Sequence, residues 1–427
     1  MFEVSPDIRY GSGLKYRDQT RYNSCIMPIK PSKTTILLIT AGCFISFFVF
    51  GFTDNLKGPT LPAMLADLHI SYGTGGNIFS GEYIGFLIAT LITGILADRF
   101  GLKSVVLLAG ICLVIGVNGY SIFSSALLLS ASFFVIGLGL GAIELGPNAI
   151  IVSIYHEHKG LYLNLMAVLH GLGALIAPLF AGWLLSLNVS WRTIYRWDLL
   201  PVALFMLIFI FLRFPKSEEK TQLDFRHIPQ IAFKGQLPWF YVAIAFYVAA
   251  EIGIGAWLVT FLQRLHGASV TSSTQALSLF FAMVMIGRLI GGFFVHRIGY
   301  LHSILFMTLG GILCLTAGLF GPKQVAFLIP LTGFFLSIIF PTITAAVSDT
   351  QTVNANTILG MLFTFAGLGG VIGPLFIAWG SDKFNLQAGF SLNIVYMMIL
   401  IISVAILIKR ISNGQKTQLG TSLDSAN

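Results

Sequence analysis

Long apolar runs alternate with short polar breaks along nearly the whole chain. The runs predict twelve helical spans, at 35–66, 73–97, 103–123, 125–152, 160–187, 193–213, 238–265, 272–295, 301–320, 323–348, 355–381 and 389–408. They are continuous over roughly 18 residues or more, the length a helix needs to cross the apolar part of a bilayer. A membrane β-barrel would instead alternate apolar and polar positions along each strand. The largest interruption, 214–237, carries Lys216, Glu218, Glu219, Lys220, Asp224, Arg226 and Lys234. It divides the spans six and six. The expected layout is a polar tail at 1–33, a helical bundle at 34–213, a linker at 214–237, a second bundle at 238–409 and a tail at 410–427. The fold class that follows is an all-α membrane protein of twelve transmembrane helices in two six-helix halves.

Composition removes the competing classes. Only 10% of the 427 residues are charged, against about 25% in a soluble domain. With 56% hydrophobic residues, 37 Phe and 45 Gly, a soluble enzyme, a disordered chain and a collagen-like chain are excluded. The formal charge of +8 could suggest a nucleic-acid partner, but in a membrane protein basic residues mark the cytoplasmic loops. Placing both termini in the cytoplasm assigns most of them to the inner side. Arg192, Arg196, Arg264, Lys323 and Lys383 are left outside, and Lys57 and Arg288 fall within spans. A plasma or inner membrane is expected. Cys25, Cys43, Cys112 and Cys314 lack metal-ligand spacing and read as inert; no metal or other cofactor is expected. The first 33 residues do not have the layout of a cleavable signal peptide. Met27, just before Lys30 and Lys33, makes 1–26 either a dispensable tail or a misplaced start.

The two halves repeat each other. GILADRFG at 94–101 returns as GFFVHRIG at 292–299, and GLGALIAPLF at 171–180 returns as GLGGVIGPLF at 367–376. Pro147 lines up with Pro341, and Asp54 with Glu251. Parallel halves with helices interrupted by Gly and Pro suit a carrier whose site lies between them and is exposed by rocking.

The first of these strings is a loop motif: Gly94, Asp98, Arg99, Gly101 and Lys103 between spans 2 and 3. Its glycines allow a tight turn near a neighbouring helix, and Asp98 at a helix end can act as a latch. The motif resembles the loop signature of the major facilitator superfamily, and the likeness extends over about 30–410. The second copy departs from it, with His296 where Asp is expected. Within span 4, GLGLGAIELGPN at 137–148 is similar to the corresponding stretch of the fucose permease group of proton–sugar symporters. Span 5 continues the likeness from Asn164 to Pro178. The sequence departs from fucose permease at His170, where Asn is expected, and in span 1, where Gly58 takes the carboxylate's place and Asp54 lies a turn earlier. The resemblance implies that Glu144 contacts sugar hydroxyls and exchanges protons, and that His170 contacts substrate.

Charges inside a bilayer are costly and tend to face a cavity. Glu144 lies deep in span 4 with Asn148 a turn further on the same face, and a desolvated carboxylate can serve as a proton carrier. Asp54 and Glu251 occupy equivalent places in the two halves and could face one another. Each also has a structural alternative: Lys57 at i+3 for Asp54, and Arg288 for Glu251. Arg288 reads equally as a counter-ion or a substrate clamp, and Glu82 as a cavity residue or a helix seal. His170 could bind substrate, carry a proton or simply be a satisfied core residue. Trp257, with Phe261, Phe363 and Phe365, could supply aromatic faces for a sugar; the plainer reading is packing. Asn164, Asn354 and Asn356 read as structural. Trp191, Arg192, Tyr195, Arg196, Trp197 and Asp198 read as an interfacial belt anchoring span 6.

The expected function is a secondary active transporter, not an enzyme, moving a small polar solute, foremost a monosaccharide, by alternating access coupled to protons. It is expected to act as a monomer in lipid. The alternative is a proton-driven exporter of amphipathic compounds or metabolites on the same fold. A non-transporting sensor would normally add a signalling domain, and an embedded enzyme would need a string such as HExxH or GxSxG, which is absent. No phosphate-binding GxxxxGK[ST] loop is present.

Overall fold

The computed structural model describes residues 32–155, 157–211, 233, 235–350 and 355–424. The linker expected at 214–237 and the tail at 1–31 lie almost wholly outside these residues. Among the described residues fourteen α-helices carry the fold: α1 Lys33–Asn55, α2 Lys57–Leu68, α3 Tyr72–Phe100, α4 Leu102–Ile122, α5 Ala126–Ile154, α6 Lys159–Ser186, α7 Trp191–Phe211, α8 Leu237–His266, α9 Val270–Ile298, α10 Tyr300–Phe320, α11 Thr332–Leu336, α12 Ile339–Thr350, α13 Ala355–Lys383 and α14 Leu386–Asp424. They form twelve segments long and apolar enough to cross a membrane.

Two expected spans are not single α-helices. The first is interrupted for one residue, Leu56, between α1 and α2, although Leu56 keeps a right-handed helical backbone (φ −73°, ψ −24°) and the span runs on from 33 to 68. Pro59 explains the position: it has no N–H to give to the Asn55 carbonyl, and its ring crowds that carbonyl. The chain tightens instead, with Leu56 N donating to Thr53 O at 3.3 Å. The tenth span opens as a 3-10 turn, Val325–Leu331, containing Pro330, before α11 and α12.

The repeat seen in the sequence is present in the backbone. Gly101, between α3 and α4, has φ 84° and ψ 154°, and Gly299, between α9 and α10, has φ 86° and ψ 155°. These left-handed turns require glycine. Packing repeats as well. The first half sets α1 against α6, α3 against α5 and α4 against α7; the second sets α8 against α13, α9 against α11 and α10 against α14.

Among the described residues the halves meet chiefly along α3 with α13, α6 with α9, and α2 with α8. Small residues permit the approach. A Cβ on Gly76 would strike Ala378, one on Gly58 the Gly255 carbonyl, and one on Gly182 the Thr274 hydroxyl. The named contacts lie in the half of the bundle remote from the N-terminus of α1. At that far end the two carboxylate oxygens of Asp382, on α13, accept from Tyr72 N at 3.0 Å and Gly73 N at 2.7 Å, the first amides of α3.

Candidate functional site

The break in the first span places three charged side chains together. Asp54 stands at the end of α1 and Lys57 at the start of α2, and they are ion-paired. Lys57 also donates to Glu82 Oε2 at 2.8 Å and to the Tyr83 hydroxyl at 2.9 Å, both on α3. The ammonium lies 4.5 Å from the Tyr83 ring centroid. Lys57 is 5% exposed, Glu82 3% and Asp54 14%. A buried ammonium is tolerable only when its donors and charge are both answered, and here three oxygens answer them.

The second half contributes an opposing pair. Glu251 on α8 and Arg288 on α9 approach to 3.9 Å. Arg288 also directs Nε at the Ser337 carbonyl at 3.4 Å. That carbonyl is free because Pro341, four residues on, has no N–H to donate. Asp54, Lys57, Tyr83, His170, Glu251 and Arg288 all line one cavity of about 120 Å³ at the seam. This is below the roughly 300–1,000 Å³ usual for ligand pockets. Gly58, Gly171 and Gly255 complete its waist, with Phe281 and Met285 as apolar lining. His170 sits edge-on to Phe50, ring centroids 4.7 Å apart. Its backbone carbonyl meets the space where a Gly51 side chain would stand.

The other sequence candidates lie elsewhere. Glu82 does not line the cavity and is sealed behind it, against Lys57 and Asp54. Glu144 and Asn148 are half-buried on α5 and do not line the cavity. Asn148 donates to the Glu144 backbone carbonyl at 2.6 Å, and the Glu144 carboxylate has no hydrogen-bond or ionic partner among the described residues. Trp257 is fully buried, donates to the Pro374 carbonyl at 3.2 Å and packs edge-on to Tyr72 at 5.8 Å. It is a far-end packing residue in this conformation, without a free face for a solute. Phe261 stacks on Phe390, Phe365 on Tyr241 and Phe363 on Phe340. In the loop motif Gly101 has the strained turn, whereas Gly94 faces open space. Lys103 donates to the Ile210 carbonyl at the end of α7, at 2.9 Å. Asp98 and Arg99 are exposed, and Arg99 lies over the Phe100 ring. Asn354 lies outside the described residues, as does the side chain of Asn356.

The expected interfacial belt is two-faced. Trp197 is 51% exposed, but Trp191, Tyr195 and Asp198 point into the bundle. Asp198 is fully buried and accepts from Thr53 Oγ1 at 2.8 and 3.0 Å on its two oxygens. The helical period of α7 carries that signal: 191, 194–195, 198 and 202 form one buried stripe. The Asp382 cap was not anticipated either, since nothing local in the sequence links 382 to 72.

A sequence profile of the Major Facilitator Superfamily matches residues 43–350. Among curated proteins, "Bypass of stop codon protein 6" of Saccharomyces cerevisiae is 24% identical over 293 residues, 61% of this chain and 58% of that one. The chain thus matches under two thirds of that relative's length. A "Putative glucose/galactose transporter" of Helicobacter pylori is 23% identical over 334 residues, 73% of this chain and 81% of that one. Among solved structures, a bacterial homologue of the human lysosomal transporter Spinster, inward-facing and unoccupied, superposes with a TM-score of 0.75 at 14% identity, over 89% of this chain and 99% of that one. A variant of the E. coli fucose:proton symporter gives 0.59 at 19% identity, over 88% and 99%.

Proposed function

The chain belongs to the Major Facilitator Superfamily, and we propose that it couples protons to the transport of a small neutral polar solute, foremost a monosaccharide. It is a multi-pass integral membrane protein and a transporter rather than an enzyme. The observation that carries the finer reading is the charge balance of the central cluster. Asp54, Glu82 and Glu251 face Lys57 and Arg288. Three carboxylates against two cations leave one negative charge to be answered. A single proton answers it, and a neutral solute adds nothing to the sum. The loaded site is then free of net charge while the halves rock around it, which avoids stranding an ion in a low-dielectric interior. Solute bound without its proton would leave that negative charge unanswered in the closed site, which disfavours uncoupled movement of the solute. The sugar reading draws on the likeness to glucose/galactose and fucose carriers.

Orientation follows from the basic inner loops: both termini are cytoplasmic. The far end, fastened by the glycine seam and Asp382, is then extracellular, and the conformation faces inward. One copy contains the whole cavity, so a monomer in lipid suffices; no nucleic acid or cofactor enters the scheme. Glu144 on α5, whose carboxylate has no partner among the described residues, is a second proton or solute contact, met as the solute leaves toward the cytoplasm.

Purified protein in sugar-free vesicles should acidify the lumen when a transported monosaccharide is added outside. Uptake that is unchanged when the proton gradient is collapsed would remove proton coupling from the reading.

A further inference from the structure

Asp198 on α7 is a fully buried acid, and no cation pairs with it among the described residues. The two arginines of α7 turn elsewhere, Arg192 to Asp67 and Arg196 to Ser121 on α4. Its polar contact is with Thr53 on α1, whose single hydroxyl lies 2.8 Å from Oδ2 and 3.0 Å from Oδ1. Both are hydrogen-bond distances, but a hydroxyl has one hydrogen. An ionised carboxylate only accepts, so it would receive one hydrogen for two oxygens and leave its charge unanswered in a low-dielectric interior. The neutral acid suits the same atoms. Its O–H donates to Thr53 Oγ1 while the Thr53 O–H donates to its carbonyl oxygen, so two hydrogens make two bonds. Thr40 and Thr60 give their hydroxyl hydrogens to the carbonyl four residues back in their own helix; Thr53 turns its hydroxyl to Asp198 instead.

We propose that Asp198 stands in the fold as the neutral acid, donating its own proton to Thr53, and that this pair positions the cavity-lining turn of α1. Thr53 and Asp54 are consecutive and so point about 100° apart around the helix. Thr53 is buried in the bundle, and Asp54 lines the cavity. Holding Thr53 against α7 therefore sets the direction of Asp54. The effect extends to the seam. α1 lies tightly on α6, with Gly51 at the His170 carbonyl and Gly173 at the Phe48 carbonyl, and α6 meets α9 of the other half. A neutral Asp198 also leaves the charge balance of the central cluster as it stands. That Asp54 needs this placement rests on the reading of the central cavity as the transport site; the protonated state of Asp198 does not.

Few titratable or charged groups surround Asp198. From α7 itself Tyr195 faces it, with a buried hydroxyl that has no hydrogen-bond partner among the described residues. Around Tyr195 stand Thr60 on α2, Glu82 on α3 and Tyr120 on α4, and Tyr120 gives its hydroxyl to Met64. α1 presents Thr53, and no charged group of α6 acts on Asp198. None of these supplies the positive charge that an ionised Asp198 would need.

Infrared spectra of the protein in lipid nanodiscs at pH 6, where an ordinary aspartate is ionised, test the state of the acid. The parent should show the C=O stretch of a protonated carboxyl, moved to lower frequency in D2O, and subtracting the D198N spectrum should leave that band. A difference spectrum without it, or with a carboxylate band in its place, overturns the inference. Asparagine offers the same single donor group and carbonyl acceptor to Thr53, so D198N should keep the parent's conformation. Double electron–electron resonance measures this between nitroxides at L187C and T271C, exposed positions at the far ends of α6 and α9, with the native cysteines replaced. T53V strands both groups of the acid, so its melting temperature should fall and its distance distribution should shift; T53S, which keeps the hydroxyl, should restore both. T53A serves should T53V not be monodisperse. A D198N distribution that departs from the parent's, or a T53V protein identical to the parent, overturns the positioning role. The transport reading fails separately: with the band and the distances as expected, monosaccharide uptake indifferent to a proton gradient would leave the pair standing and remove the coupling.

Discussion

Lys57 holds together groups that water barely reaches, so its removal should cost more than an ordinary surface charge. K57M leaves Asp54 and Glu82 facing each other without a cation. Breaking a buried pair from one side typically costs about 3–5 kcal/mol, and thermal unfolding in detergent should show a loss of that order. E144Q should behave differently. The Glu144 carboxylate has no partner to strand among the described residues, so the fold should survive with its melting point near that of the parent. Proton-driven accumulation of a monosaccharide should fall at least ten-fold; full accumulation would show that Glu144 takes no part. At this scale the sequence was legible where partners are neighbours in the chain. Asp54 and Lys57 are three residues apart, and helical spacing alone brings them together. Glu82 is bound to Lys57 only because α3 folds back beside α2. Trp257 shows the same limit: an aromatic residue looks alike in a sequence whether its face is open or, as here, buried, with its N–H on the Pro374 carbonyl and Tyr72 packed edge-on.

The helices themselves were almost entirely legible, since each bilayer span needs a long apolar run and little else resembles one. The breaks were less so. Pro59 and Pro330 both interrupt spans, but Pro147, Pro178 and Pro374 lie inside helices that continue. A proline breaks a membrane helix only when neighbours do not re-satisfy the freed carbonyl, and that is a tertiary property. P59A tests the first break directly. Alanine restores an N–H to the Asn55 carbonyl and removes the ring, so α1 and α2 can merge. Such a variant should be no less stable than the parent, yet monosaccharide uptake should fall about ten-fold or more because the local irregularity that sets Asp54 and Lys57 at the cavity is lost. Unaltered uptake would mean that the break is an accident of packing.

At the scale of the whole molecule, the seam must be strong enough to define a state and weak enough to open. Glycine contacts alone give close approach but little directional force. Asp382 adds direction: its carboxylate caps α3 from the opposite half, at 3.0 and 2.7 Å from the first two amides. A negative charge at a helix N-terminus contributes roughly 0.3–1 kcal/mol, and up to about 2 where partly buried. The site is built for that group. A side chain at Gly73 would meet Asp382 Oδ2 at 2.6 Å, so the carboxylate can approach only because that position has no Cβ. D382N keeps the size, removes the charge and offers one carbonyl oxygen where two oxygens accepted. A loss of about 1–2 kcal/mol changes a two-state ratio by a factor of roughly 5–30. The population with its far end open should therefore grow by that factor, read as a longer component between labels at L187C and T271C. The fold itself should be unaffected, because the bond joins two halves that each pack internally. A distance distribution identical to the parent's would show that the glycine seam closes the far end unaided. A shift toward the open form would make Asp382 a fastening that each transport cycle has to undo, set at the opposite end of α3 from Asp98.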